Sequence, residues 1–279
     1  LEAEPLPSGR LALIGVRACE LAAIAVQDRV LRDGAHADVR YAARRSDVFV
    51  VAVQCTRAGG NCFCSSLGTG PRAKSGHDLV LTELPDAEEH RFVLEPGSPA
   101  GQELVHELGL GAARDEDVGR ADTAVEQAAQ EQRQFEASGV RELLLSQLEH
   151  PQWDDVASRC LACGNCTLVC PTCHCSSVVE VSPAPGEIER RRQLDSCFTQ
   201  EASYLHGGSV RVSIRSRYRQ WLTHKLATWF DQFGSSGCVG CGRCVTWCPV
   251  GIDLVAEVAR FRASAPAAPA SARKMAQEA

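Results

Sequence analysis

At 279 residues, with 29 Lys and Arg against 35 Asp and Glu, the chain is long enough for two modest domains and carries a formal charge of −6, which argues against nucleic acid as a partner. Its 15 cysteines are odd in number and too many for a disulfide framework in a chain of this size, so they point to metal ligation in a reducing compartment. No apolar run approaches the length of a membrane span and the opening LEAEPLPSGR has no signal-peptide pattern, so the expectation is a cytoplasmic protein that engages no membrane.

Leu1 stands only a few residues before the first expected strand, which leads us to expect a preceding segment. Residues 11–16 (LALIGV) read as a strand, residues 20–32 as a helix carrying Leu21, Ile24, Val26, Val30 and Leu31, and residues 48–53 (VFVVAV) as a second, buried strand. Strand, helix, strand in that order favours a right-handed parallel unit. Cys19 then falls just after the first strand and Cys55 just after the second, at the carboxyl edge of the sheet, where open α/β folds place their ligands. The glycine-rich loop beyond Cys55 holds Cys62 and Cys64. Four thiols suffice for a [4Fe-4S] cluster, but the spacing C-x35-C-x6-C-x-C is no general motif, and buried structural thiols are the competing reading. The run Gly68-Thr69-Gly70-Pro71 lacks the Gly-Lys-Thr ending of a phosphate loop.

Two further strands are expected at 78–84 and 91–95, joined by the turn-like PDAEEH, and residues 101–150 read as a charged helical connection that Pro151 ends. The ligand pattern is densest beyond it. Cys160, Cys163, Cys166 and Cys170, followed by Pro171, form a complete C-x2-C-x2-C-x3-C-P run; Cys238, Cys241, Cys244 and Cys248, followed by Pro249, form a second. In such pairs the fourth cysteine of each run ligates the other cluster. One [4Fe-4S] cluster is therefore assigned to Cys160, Cys163, Cys166 and Cys248, and a second to Cys238, Cys241, Cys244 and Cys170. Structural zinc also uses C-x2-C pairs, but zinc ribbons need two cysteines per knuckle, whereas four cysteines and a proline recur here in full.

Between the runs lie 67 residues, Pro171 to Gly237, expected to elaborate the ferredoxin module with helix. Residues 216–233 place Tyr218, Leu222, Leu226, Trp229, Phe230 and Phe233 on one helical stripe, read as core. Arg211, Arg215, Arg217, Arg219 and Lys225 form a basic run, read either as a solvated or carbonyl-binding set or as a docking surface. The expected organisation is α+β: an α/β domain with a partly parallel sheet (1–100), the helical connection (101–150), a largely helical, double-cluster ferredoxin-like domain (151–263) and a disordered tail (264–279).

With these motifs in hand, GVRACELAAI (15–24), YAARRSDVFVVAVQCT (41–56), CFCSSLGTGP (62–71), the two cysteine runs and RSRYRQWLTHK (215–225) resemble the beta, iron-sulfur, subunit of cytoplasmic NAD(P)-linked nickel-iron hydrogenases of the sulfhydrogenase type. They are also similar to the homologous iron-sulfur subunit of anaerobic sulfite reductase. The resemblance implies a complex in which this chain passes electrons between a flavin subunit handling NAD(P)H and a catalytic module, either the nickel-iron hydrogenase small and large subunits or a sirohaem sulfite reductase subunit. It also favours a third cluster on Cys19, Cys55, Cys62 and Cys64, which lie inside matching stretches. No side chain then needs to act as acid, base or nucleophile, because the clusters carry the chemistry. The alternative is an independent sulfur-reducing enzyme using the three remaining thiols, Cys173, Cys175 and Cys197.

Overall fold

The computed structural model describes residues 5–84 and 90–264. The chain divides into two compact units: Leu1–Glu136 with Cys170–His174 and Gly237–Arg243, and Ala137–Val169 with Cys175–Ser236 and Cys244–Ala279. This division cuts the chain differently from the segments expected at 1–100, 101–150 and 151–263. Each cysteine run contributes to both units, because the short pieces around Cys170 and Cys238 pack with the amino-terminal part.

In the first unit β1 (Leu11–Arg17) leads into α1 (Ala18–Leu31), α2 (Val39–Ser46) and β2 (Val48–Val53), followed by β3 (Leu79–Leu84) and β4 (Arg91–Pro96). The sheet order is β1-β2-β3-β4, with β1–β2 and β2–β3 parallel and β3–β4 antiparallel. The strand-helix-strand reading of residues 11–53 is thus realised, with one helix, α2, that the short polar stretch VRYAARRS did not announce. Asp38 starts α2 by accepting from the amides of Arg40 and Tyr41, both at 3.0 Å. The register of β1 slips between Ile14 and Val16, where Gly15 takes φ 84°, as a β-bulge requires. The core beneath the sheet joins Ala18 and Leu21 of α1 to Val50, Ala52 and Val80. Then come α3 (Pro99–Glu107), capped by Ser98 and started by Pro99, and α4 (Asp115–Gln130), whose Ala121 packs on Leu84 and Val93. Pro85–Glu89 of the expected turn lie outside the described residues.

The second unit holds α5 (Val140–Ser146), α6 (Gln152–Arg159) and α7 (Asn165–Leu168), then a β-hairpin of β5 (Ser176–Val181) and β6 (Glu189–Leu194), and a two-residue pair, β7 (Tyr204–Leu205) with β8 (Gly208–Ser209). The stretch between the cysteine runs is therefore not helical at its start. SSVVEV carries three β-branched valines, which favour a strand, and its burial alternates from residue to residue as a strand's does. Helix α8 (Ile214–Thr223), capped by Ser213, continues through a π-helical turn (His224–Thr228) into α9 (Trp229–Phe233). Helix α10 (Arg243–Thr246) lies in the second cysteine run, and α11 (Leu254–Ser264) closes the described chain; the expected tail, apart from Ser264, lies outside the described residues.

The π turn inserts a residue into the helical repeat and rotates the turns beyond it. Tyr218, Leu222, Leu226 and Trp229 are buried as the stripe expected, but Phe230 is 43% exposed. The core of this unit is aromatic: Trp153 and Phe261 stack at 4.3 Å, and Tyr218 and Trp221 at 5.4 Å. The basic run is largely engaged within the chain. Arg217 is buried and donates to the Phe198 carbonyl at 2.6 Å, Lys225 is buried, and Arg215 and Arg219 pair with Glu149 at 2.8 and 2.7 Å. These arginines serve this chain's own carbonyls and carboxylates, which removes the main support for a docking surface made of them.

Candidate metal centres

None of the 15 cysteines is in a disulfide. In the second unit Cys160, Cys163 and Cys166 of the first run line one cavity with Cys248 of the second; Cys244 also borders it. The loop between Cys160 and Cys166 is bent by two residues in the left-handed region, Ala162 at φ 52° and Gly164 at φ 75°. The bend turns the Ala162 amide onto its neighbour, donating to Cys160 Sγ at 3.3 Å, while the Ile252 amide donates to Cys248 Sγ at 3.2 Å. Glycine at 164 is favoured for a second reason: an added Cβ would press on Ser196 Oγ at 3.1 Å.

In the first unit the second run repeats the geometry. Gly240 (φ 63°) and Gly242 (φ 71°) take the left-handed positions, and the Gly240 amide donates to Cys238 Sγ at 3.4 Å. Cys170 lies beside this run: its Sγ is 3.1 Å from Thr172 Oγ1, which donates to the Gly237 carbonyl at 2.6 Å. The structure therefore brings Cys248 to the first run and Cys170 to the start of the second.

The other four thiols stand at the carboxyl end of the parallel strands. Cys19 is in the first turn of α1, directly after β1, and Cys55 follows β2 by two residues. Cys19, Cys64 and Val239 share a buried cluster, with Cys241 packed against it. The Phe63 amide donates to the Gly240 carbonyl at 2.9 Å, Thr69 Oγ1 to the Val239 carbonyl at 2.8 Å, and Cys62 Sγ approaches the Cys241 carbonyl at 3.9 Å. The glycine-rich loop is thus seated on the second cysteine run. Gly70 belongs to that packing, since a Cβ there would stand 2.8 Å from Cys64 Sγ.

Burial, followed by the charges of neighbouring thiols, sets the electrostatics. Cys19 is pushed up to about 12 by desolvation, then by Cys241 and Cys64. Burial likewise raises Cys55, with Cys64 next, and raises Cys64 itself. Cys160 and Cys166 are raised by burial, with Cys163 and Cys248 among the charges acting on both. Buried thiols that repel one another as thiolates are offset by a metal centre, which deprotonates its sulfur ligands. Amides aimed at sulfur, left-handed loops and all-thiol donor sets fit iron-sulfur clusters. Among the described residues, no group of three or more His, Cys, Asp or Glu side chains is placed to hold a single metal ion.

Of the remaining thiols, Cys175 and Cys197 are not activated. The hairpin places Cys175 opposite Asp195, whose amide donates to its carbonyl at 2.9 Å, and Cys197 lies two residues further. Burial raises Cys175, and raises Cys197 to about 12, with the opposing Lys225 charge a smaller influence on each. The thiol form is favoured in both, which suits packing better than nucleophilic chemistry.

Several supporting residues were invisible in the sequence. Gln132, inside a polar stretch, is buried and accepts from Cys64 Sγ at 3.3 Å and from the Ser65 amide at 3.0 Å. Glu20 holds α1 to the second run by pairing with Arg243, while also accepting from the Arg17 amide at 2.7 Å. Neither has a motif; burial marks Gln132 and the partner Arg243 marks Glu20.

Residues 159–252 match the family described as 4Fe-4S dicluster domain. The chain is also 33% identical over 251 residues to sulfhydrogenase 2 subunit beta of Pyrococcus furiosus, an alignment that takes in 88% of this chain and 72% of that protein. No solved structure matches it. Among the described residues no helix is long and apolar enough to cross a membrane.

Proposed function

The chain belongs to the family of sulfhydrogenase beta subunits, and on that premise we propose that it relays electrons between a flavin subunit serving NAD(P)H and a nickel-iron hydrogenase module. The ligands in this reading are Cys160, Cys163, Cys166 and Cys248 for one [4Fe-4S] cluster, Cys238, Cys241, Cys244 and Cys170 for a second, and Cys19, Cys55, Cys62 and Cys64 for a third. The observation that carries it is the convergence of Cys248 with the first run on a single cavity. Support for the second set comes from the Cys170–Thr172–Gly237 link within the first unit and from the place of Cys244 after Cys241 in the run. For the third, it comes from four thiols gathered at one sheet edge.

Bound clusters would supply one-electron redox chemistry. The protein's part is to hold the thiolates, aim the amides of Ala162, Gly240 and Ile252 at sulfur, and exclude water with Phe198, Leu254 and Ile252. Exposed apolar side chains near the first cavity, Leu161 at 62% and Trp247 at 60%, suit a face that meets another subunit.

Anaerobically purified chain should carry about twelve irons, as three four-iron cubanes demand. It should not oxidise NAD(P)H alone, and it should copurify with a nickel-iron module and a flavin subunit. A sirohaem partner in their place would assign it to the sulfite reductase type, and NAD(P)H-dependent sulfur reduction by the isolated chain would reject the relay.

A further inference from the structure

Helix α8 runs along the cavity lined by Cys160, Cys163, Cys166 and Cys248, and contributes Tyr218 and Trp221 to its wall. Both are buried, at 2% and 5% exposure, and their rings are locked against each other and against Phe198. Yet Tyr218 Oη and Trp221 Nε1 are buried polar atoms with no hydrogen-bond partner among the described residues.

A buried donor left unsatisfied loses its bonds to water with nothing in return, and two in one wall is a cost that folded proteins seldom carry. An indole N–H can only donate, so what Trp221 lacks is an acceptor. A phenol is protonated at neutral pH and can donate, so Tyr218, in the wall of the same cavity, is a second donor without an acceptor. The acceptors that fit a cavity walled by cysteines are sulfurs.

We propose that Tyr218 and Trp221 donate hydrogen bonds to the sulfurs of the cluster held by Cys160, Cys163, Cys166 and Cys248, and thereby raise its reduction potential above what the amide donors alone would set. The inference rests on the ligand reading above and adds two side-chain donors to it. Reduction places more negative charge on sulfur, so each donor favours the reduced state, and its removal lowers the potential.

The experiment is an anaerobic redox titration of the full chain followed by electron paramagnetic resonance, with the signal identified by its loss in Cys163→Ser. Tyr218→Phe keeps the ring and removes the donor. It should lower the reduced-to-oxidised ratio of that signal at fixed potential by up to about tenfold, or about 59 mV for one electron, with iron content and the other signals unchanged. A second measurement needs no variant: with tryptophan labelled by 15N at Nε1, the reduced native chain should show 15N coupling at this signal, and Trp221→Phe should abolish it. A loaded cluster whose potential is unmoved in Tyr218→Phe, with no 15N coupling in the native chain, overturns the inference alone. Unchanged iron and unchanged signals in Cys163→Ser reject the ligand reading, and the inference with it.

Discussion

The two cysteine runs have the same spacing, the same left-handed positions and the same short helix around the third cysteine, but their surroundings constrain them differently. In the second run, a Cβ on Gly240 would stand 2.6–2.7 Å from backbone atoms of Phe63 and Cys64, and one on Gly242 would overlap Asn61. That run is clamped, backbone on backbone, by the loop carrying Cys62 and Cys64. The first run carries Ala162 at the position equivalent to Gly240, with φ 52°, so the left-handed conformation is kept without a backbone pressed against it. Its constraint comes from side chains: Ser196, Thr167 and the aromatic wall of α8. One motif is therefore served by two kinds of support, and a residue's tolerance follows the support rather than the motif.

The largest effects should come from the cysteines that exchange between runs. Cys248→Ala should remove the cluster of Cys160, Cys163 and Cys166, and Cys170→Ala that of Cys238, Cys241 and Cys244, each with a loss of about four irons per chain. If spectroscopy showed each change affecting only its own run's first three cysteines, the cross-run pairing would be wrong.

Next in size is the contrast at equivalent glycine and alanine positions. Gly240→Ala drives a methyl into backbone that cannot retreat, and should cost about 3 kcal/mol or more, with loss of iron. Ala162→Gly should instead stabilise by up to about 1 kcal/mol, since it relieves a left-handed Cβ at a smaller entropic cost. Thermal unfolding of the two variants, compared with the parent under anaerobic conditions, checks the signs; destabilisation of similar size in both would contradict the comparison.

A smaller effect is expected where α1 meets the second run. Burial raises the Glu20 carboxyl, but the bonds from Arg17 and Arg243 outweigh it and leave the group below its ordinary range. A carboxylate depressed in the folded state stabilises above its unfolded value, about 4.3, and that contribution fades as pH falls through the lower folded value. Glu20→Gln should therefore cost about 1 kcal/mol near neutrality and flatten the acid limb of an unfolding profile. An acid limb identical to the parent's would exclude this role. Smallest of all is Arg215→Glu, which should repel Glu149 and Asp154 of its own chain. A shift of a few degrees or less in thermal midpoint, with iron content and partner retention unchanged, is the expected result; loss of a partner subunit would restore the docking role of the basic run.

Residues 11–53 and both cysteine runs were legible in the order of residues, because strand and helix periodicity and ligand spacing are local properties. The hairpin at 176–194 was not, since the expectation of helix between the runs overrode the β-branched valines of Ser176–Val181. Phe230 was misplaced because a single π turn shifts the phase of a stripe that assumes 3.6 residues per turn. Gln132, Tyr218 and Trp221 are ordinary polar or aromatic residues until tertiary packing buries them beside the cysteines, and Glu20 until the fold brings Arg243 to it.

By itself, then, the sequence determined the two complete cysteine runs and the place of Cys19 and Cys55 after the strands at residues 11–17 and 48–53. Only the tertiary structure decided that the loop of Cys62 and Cys64 seats on Gly240 and Gly242, that Cys170 ends beside Gly237, and that Tyr218 and Trp221, each with an unsatisfied donor, line the first cavity. The reason is physical: spacing and periodicity are written within a few turns of chain, whereas close backbone approach and the burial of a donor depend on segments that lie far apart in the chain and meet only in the fold.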